Sequence, residues 1–356
     1  MSDRKPVLKI NDGRCRNSYS CVRVCPVNAI EVRPQKAHPS ILPDKCIGCG
    51  LCYVSCSPRA IEFRDSKEEV KKLLSSGRKT AALIEPSIAS EFDDITDYRK
   101  FVTMIRSLGF DYVHEVSFGV DLIAAHYAEL FSKAEGKYYI TANCPAIVKL
   151  IEKFHPELTP NLAPLVSPMI ATAMVVKDIY GSDIATVQIG PCIDAKDEAL
   201  LYDSGRLIEG VLTFIELRQL FEESGIQERL VKMSDFDPPH GYWGALYPLP
   251  AGIIQAGGLK RDMVSSSVIT ASGKEEILEA INDFDKYIDT IKHHFNLFFC
   301  HGCLLGPAME HHNERFRRRS LVRHYAEKRG GQLDKALWQK NMEKWSRLAF
   351  SRTFST

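Results

Sequence analysis

Beyond residue 80, short apolar runs alternate with longer segments whose apolar positions recur every three or four residues. The short runs predict strands at 80–85, 112–116, 137–141, 184–189, 207–212 and 296–299. The periodic segments predict helices over 98–108, 121–133, 146–154, 168–179, 214–223 and 274–291. In the first of these, Phe101, Val102, Ile105 and Leu108 fall on one face. Thr213 and Glu216 have the spacing of a capping box at the start of the helix at 214. This alternation of strand and helix predicts an α/β domain with largely parallel sheets.

Two charged stretches flank that pattern. DSKEEVKKLLSSGRK at 65–79 predicts a short linking helix ending near Gly77. The last fifty residues read as helices joined at Gly330 and Gly331, and they include ERFRRRSLVRHYAEKR. Such a basic stretch either braces the core and faces solvent or docks an acidic partner. The chain thus divides into a cysteine-rich segment at 1–65, a linker helix at 66–79 and a large domain at 80–356.

Composition narrows the function classes. A chain of 356 residues can bury several cores. Its 45% hydrophobic and 26% charged residues are those of a globular protein. The net charge of +1 gives no global attraction to nucleic acid or an anionic membrane. No apolar run reaches the roughly 18 residues of a membrane span. The opening MSDRKPVLKINDGRC lacks the apolar core of a secretory signal, so a cytoplasmic address is expected.

The chain has eleven cysteines, which a reducing compartment would not pair into disulfides. Seven lie between Cys15 and Cys56, in two segments of one design. The second segment is Cys46-x2-Cys49-x2-Cys52-x3-Cys56, and the first is Cys15-x2-Ser18-x2-Cys21-x3-Cys25-Pro26. This is the run of a two-cluster bacterial-type ferredoxin, in which three close cysteines hold one cubane and the fourth reaches the other. Cluster one is expected on Cys15, Cys21 and Cys56 with Ser18 at the fourth corner, and cluster two on Cys46, Cys49, Cys52 and Cys25. Gly48 and Gly50 permit the sharp turns between ligands. Ser18 is either a bystander to a three-iron or water-capped cluster or an alkoxide ligand. In each case cluster one is altered while cluster two stays a 4Fe-4S cubane.

Cys144, Cys192, Cys300 and Cys303 each sit in a turn marked by Gly or Pro after an expected strand. Open α/β sheets place their chemistry at such carboxyl ends. Four thiolates suit a cubane. Zinc, or burial of Cys144 and Cys192 as small hydrophobes, are the other readings of the spacing.

These segments resemble the cysteine signatures of the FeFe-hydrogenases. The matching features are SFGVDL at 117–122, CPAIVKLIEKFHPEL at 144–158 with SP at 167–168, PCxxxKxE at 191–198 and CxGCxxGP at 300–307. The resemblance covers essentially the whole chain, ferredoxin included. It implies a two-lobed α/β catalytic domain of mostly parallel sheets after a small α+β ferredoxin. It also implies an H-cluster: a 4Fe-4S cubane on Cys144, Cys192, Cys300 and Cys303, bridged through Cys303 to a diiron unit with CO, CN⁻ and a dithiolate amine. The partners it implies are H2 and protons, a redox or downstream signalling protein, and maturation proteins that supply the diiron unit. Neither nucleic acid nor membrane is among them.

The resemblance is closest to the sensory, low-turnover subclass, because the usual proton relay is substituted. The relay cysteine is Asn143, the relay glutamates align with Tyr127 and Leu130, and the relay serine aligns with Ala163. An amide, an alanine and a leucine cannot pass protons as thiol and carboxyl groups do. The lysine expected three residues after the second cluster cysteine is Ala195, with Lys196 one place later as the candidate to reach the cyanide. Methionines beside the diiron unit align with Gly190 and Phe298. Slow, reversible turnover by another proton route is expected, with His126, Tyr127, Glu115 and His301 as candidates. The alternative is a hydrogenase-like iron–sulfur assembly or electron-transfer protein that holds cubanes only.

Overall fold

A computed structural model describes residues 6–201, 207–262, 264–310 and 312–354. In the N-terminal segment the strands β1 (Leu8–Ile10), β2 (Ile30–Glu31), β3 (Ser40–Ile41) and β4 (Ile61–Phe63) form two antiparallel ribbons. Leu8 pairs with Phe63 and Ile30 with Ile41, so each ribbon joins one strand flanking the first cysteine run to one flanking the second. The short helices Ser20–Val24 and Leu51–Val54 carry the middle of each cysteine run.

The next lobe is built on β5 (Thr80–Ile84), β6 (Tyr112–Glu115), β7 (Ala185–Gly190) and β8 (Gly210–Thr213). All four are parallel, in the order β6-β5-β7-β8. Both faces of β5 are covered, which is why it reads TAALI without alternation. Ala81 and Leu83 join the core of the helices Ser117–Ser132 and Pro168–Tyr180. Ala82 and Ile84 join that of the helices Tyr98–Ser107 and Phe214–Glu223. Thr213 and Glu216 do form the capping box.

The second lobe pairs β9 (Val268–Ser272) with β10 (His294–Phe298) in parallel, across the helix Lys274–Ile291. Ile140 bridges Phe295 on one side and Leu162 on the other. The helix Pro145–Phe154 packs into the same core. This is the α/β fold with mostly parallel sheets that the sequence predicts, after a small α+β iron–sulfur unit. No described helix is long and apolar enough to cross a membrane.

Four local expectations change. The strand at 137–141 shrinks to the bridges of Ile140, because the Tyr139 N–H donates to His294 Nδ1 (3.0 Å) rather than to a ladder carbonyl. Strand β9 was not predicted; it is an edge strand whose exposure does not alternate cleanly, with Ile269 facing out. The helix expected from Asp121 begins at Ser117, and Gly119 within it packs against the helix Pro168–Tyr180. A Cβ there would lie 2.1 Å from Thr172 Oγ1. Finally, Gly330 and Gly331 lie inside the helix Arg315–Gln332, and the joint to the helix Lys335–Trp345 comes after it. The basic stretch braces the core: Arg318 and Arg329 are buried, and Arg318 pairs with buried Glu91 at 3.1 Å.

Candidate functional site

Both lobes present the carboxyl ends of their strands to one cavity of about 80 Å³. Cys192 enters from the turn after β7, Cys144 from the N-terminus of the helix Pro145–Phe154, and Cys300 and Cys303 from the turns after β10. All four line the cavity, whose walls are mainly apolar. None of them is paired in a disulfide. Burial pushes the Cys192, Cys300 and Cys303 thiols well above their ordinary range, and their neighbouring thiols add to the effect. Thiols so placed ionise only if a cation compensates them, as iron does.

Glycines let the backbone close tightly around this space. Gly302 adopts φ +75°, and a Cβ on it would meet the Pro248 carbonyl oxygen at 2.1 Å. A Cβ on Gly306 would lie 2.5 Å from Pro191. The signature CxGCxxGP therefore wedges two cysteines against the turn that carries Cys192. Among the described residues, no three His, Cys, Asp or Glu side chains converge as a single metal ion requires. Four thiols set around a cavity suit a larger, multi-iron group.

Polar groups on the cavity wall are short of partners. Asn143 is buried, and neither its Oδ1 nor its Nδ2 has a hydrogen bond, although Tyr247 Oη donates to its backbone carbonyl at 3.0 Å. Gln188 Oε1 is likewise unsatisfied. Glu85 and Glu198 also reach the wall. Burial pushes the Glu85 carboxyl up to about 8, with Glu115 adding to the rise. Such orphaned buried groups ask for a ligand. The donor set, the apolar space and the unpartnered amides fit a cubane with a further unit beside it.

Two expected site residues lie elsewhere. Lys196 points away from the cavity into a buried ion pair with Glu216 (3.0 Å), and it also donates to Ser66 Oγ (2.7 Å) and the Val211 carbonyl (2.8 Å). Three partners in a dry site hold it there, so it cannot reach a group in the cavity. Tyr127 is fully buried and its hydroxyl accepts the Ala142 N–H at 2.9 Å, bracing the loop that carries Asn143. Neither His126 nor His301 lines the cavity. Glu85, Met169, Gln188 and Tyr247 do line it and were not anticipated. The available signal for Glu85 was an acid directly after an otherwise apolar central strand.

The ferredoxin cysteines fall into two further sets. Cys15, Ser18, Cys21 and Cys56 border one pocket. Cys25, Cys46, Cys49 and Cys52 border the other. Backbone N–H groups donate to sulfur: Ala29 to Cys25 (3.1 Å), Ala60 to Cys56 (3.2 Å) and Gly48 to Cys46 (3.4 Å). Ser18 Oγ shares a hydrogen bond with Ser20 Oγ at 2.9 Å. The second pocket abuts the large cavity. A Cβ on Gly50 would lie 2.4 Å from Pro307, and one on Gly48 would lie 2.0 Å from Asp194 Oδ1. Cys49 lies within electrostatic reach of Cys300.

Comparison with known proteins bears on this arrangement. Residues 78–306 match the family of the iron only hydrogenase large subunit, C-terminal domain, and residues 7–57 match a 4Fe-4S dicluster domain. The chain is 29% identical over 225 residues to iron hydrogenase 1 of Clostridium pasteurianum, covering 55% of this chain and 39% of that protein. It is 26% identical over 209 residues to the cytosolic Fe-S cluster assembly factor NAR1 of Yarrowia lipolytica, covering 50% of this chain and 43% of that one. The chain therefore spans about two fifths of the length of these curated relatives. Among solved structures, a variant of the FeFe-hydrogenase HydA1 from Chlamydomonas reinhardtii superposes with a TM-score of 0.64 at 16% identity, over 82% of this chain and 96% of that one.

Proposed function

Since the chain belongs to the iron-only (FeFe) hydrogenase family, we propose that it activates H2 in the cavity between its two lobes. Cys144, Cys192, Cys300 and Cys303 would hold a 4Fe-4S cubane there, with room beside it for a diiron unit. When bound, that unit would supply the heterolytic chemistry of H2. The observation that carries the reading is the four thiols on one apolar wall with unpartnered Asn143 and Gln188 amides beside them. The chain's own residues orient and exclude. Met169, Phe298 and Val116 keep the space apolar, while Tyr247 and Tyr127 fix the Asn143 loop.

Electrons would leave through the cubane on Cys25, Cys46, Cys49 and Cys52, which lies against the cavity at Gly50 and Pro307. The cluster bordered by Cys15, Ser18, Cys21 and Cys56 would continue to a protein partner. Turnover would be slow and suited to sensing. Asn143, Tyr127, Leu130 and Ala163 stand where thiol, carboxyl and hydroxyl groups would make a fast relay, and Tyr127 is tied to a backbone N–H. The likeness to NAR1 favours one second reading, a protein that keeps cubanes without the diiron unit.

The test is infrared spectroscopy of anaerobic protein supplied with the diiron unit, under argon and then H2. Sharp CO and CN⁻ bands that shift under H2 are expected. Intact cubanes without those bands would move the protein to the second reading.

A further inference from the structure

We propose that the Lys149–Asp194 ion pair sets the reduction potentials of two neighbouring clusters, the cavity cubane and the cubane on Cys25, Cys46, Cys49 and Cys52. It would thereby govern the passage of electrons between the cavity and the ferredoxin unit. The inference rests on the cubanes of the reading above and holds with or without a diiron unit. The pair stands where three ligand-bearing segments meet. Lys149 lies on the helix Pro145–Phe154, in the turn of helix that follows Cys144. Asp194 lies just after Cys192, at the entry to the helix Ala195–Leu201. Gly48, between Cys46 and Cys49, packs so closely on the Asp194 carboxylate that a Cβ has no room.

The surroundings fix these charges. The Lys149 ammonium donates to Asp194 Oδ1 and to Asp197 Oδ2, the latter at 2.9 Å. The Asp194 side chain is 1% exposed and that of Lys149 19%, so water and salt screen the pair weakly. Burial works against the ammonium, but the two carboxylates outweigh it and hold Lys149 above the ordinary lysine range. Arg64, at the end of the ferredoxin unit, pairs with Asp197 at 3.2 Å and steadies it. Asp194 Oδ2 is buried without a hydrogen-bond partner, which leaves Lys149 as the cation bonded to this carboxylate.

Both cubane sites feel the pair. Asp194 acts electrostatically on Cys46 and Cys49 of the ferredoxin set and on Cys144 and Cys192 of the cavity set. Lys149 opposes it at Cys46. A carboxylate beside an iron–sulfur core disfavours an added electron, and an ammonium favours it. Lys153 is placed differently. Its ammonium donates to the Pro43 and Cys46 carbonyls, at 3.2 and 2.7 Å, and so braces the ferredoxin loop. In the step that the pair governs, one electron leaves the cavity cubane, which is oxidised, and enters the ferredoxin cubane, which is reduced. No bond forms or breaks, and no proton moves.

The test is an EPR-monitored redox titration of the full chain carrying its cubanes but no diiron unit. Asp194→Asn should raise both midpoints, and Lys149→Met should lower both. At a fixed potential the reduced-to-oxidised ratio of each cubane should change about tenfold, as for a unit charge removed from a protein interior. Lys149→Arg should leave both midpoints in place. The double variant Lys149→Met/Asp194→Asn should return both to near wild type, because opposite shifts cancel where structural damage would add. Lys153→Met should lower the ferredoxin midpoint more than the cavity one.

Unmoved midpoints in Asp194→Asn, or shifts of the same sign in the two single variants, would overturn the proposal. So would a shift in Lys153→Met as large at the cavity cubane as at the ferredoxin one. Should Lys149→Met lose its cubanes, Asp194→Asn and the double variant still decide. Missing CO and CN⁻ bands in diiron-loaded protein would sink the H2 reading and leave these shifts as they are.

Discussion

The ferredoxin pockets and the large cavity use the same thiols by opposite means. Ferredoxin ligands come from two short loops, Cys15 to Cys25 and Cys46 to Cys56, where the backbone itself aims each sulfur. The cavity gathers Cys144, Cys192, Cys300 and Cys303 from three separate turns on two sheets. A local loop constrains its ligands through its own turns, whereas an assembled site depends on strand order and on how two lobes meet. The first kind keeps its remaining ligands in place whatever stands at one corner, as at Ser18. The second draws on the whole core.

That contrast can be broken or sharpened by substitution. The largest effect is expected for Cys303→Ala, which should abolish H2 turnover and the CO and CN⁻ bands while both ferredoxin EPR signals persist. Loss of the ferredoxin signals too would show that the two regions do not fold independently of the cavity's contents. Next comes Lys196→Met, which leaves Glu216 charged and unpaired in the interior. Chemical denaturation should show a loss of about 3–5 kcal/mol. Activity per folded molecule should stay near wild type, and a specific loss of activity would put Lys196 back in the site.

A smaller gain is expected at Asn143. Asn143→Cys places a thiol on the cavity wall in place of an amide with no partners, and turnover should rise about tenfold, the low end of what a positioned acid–base group supplies. An unchanged rate would mean that the side chain at 143 does not limit proton transfer.

Acid should separate the regions by stability. Burial holds His294 neutral with its value lowered to about 4, and burial likewise depresses His114. The unfolded chain binds protons at both positions below about pH 6.5, while the folded lobes do not. Stability from these groups is therefore full above about pH 6.5 and is lost as pH falls toward 4. Melting followed by lobe tryptophan fluorescence should show this loss, and His294→Phe should weaken it. The smallest effect is expected for Ser18→Cys, which should raise the iron content of cluster one and sharpen its EPR signal with little change in cavity chemistry.

The apolar periods and cysteine spacing made much of this molecule legible. TAALI could be read as a fully buried strand, and Thr213 with Glu216 as a helix start, because both depend on neighbours in the chain. The two ferredoxin sets could be divided by spacing for the same reason. Strand β9 and the start of the helix at Ser117 were hidden, since pairing partners and the close approach at Gly119 lie far away in sequence.

The site shows the same boundary. By itself the sequence determined which turns carry the cysteines and that Asn143 adjoins one of them, since these are facts of adjacency. Only the tertiary structure decided that Lys196 turns inward to Glu216 and that Glu85 stands on the cavity wall. A side chain's direction follows from which helix face is buried and which strand lies alongside. Those are set by the packing of distant segments, and no local spacing encodes them.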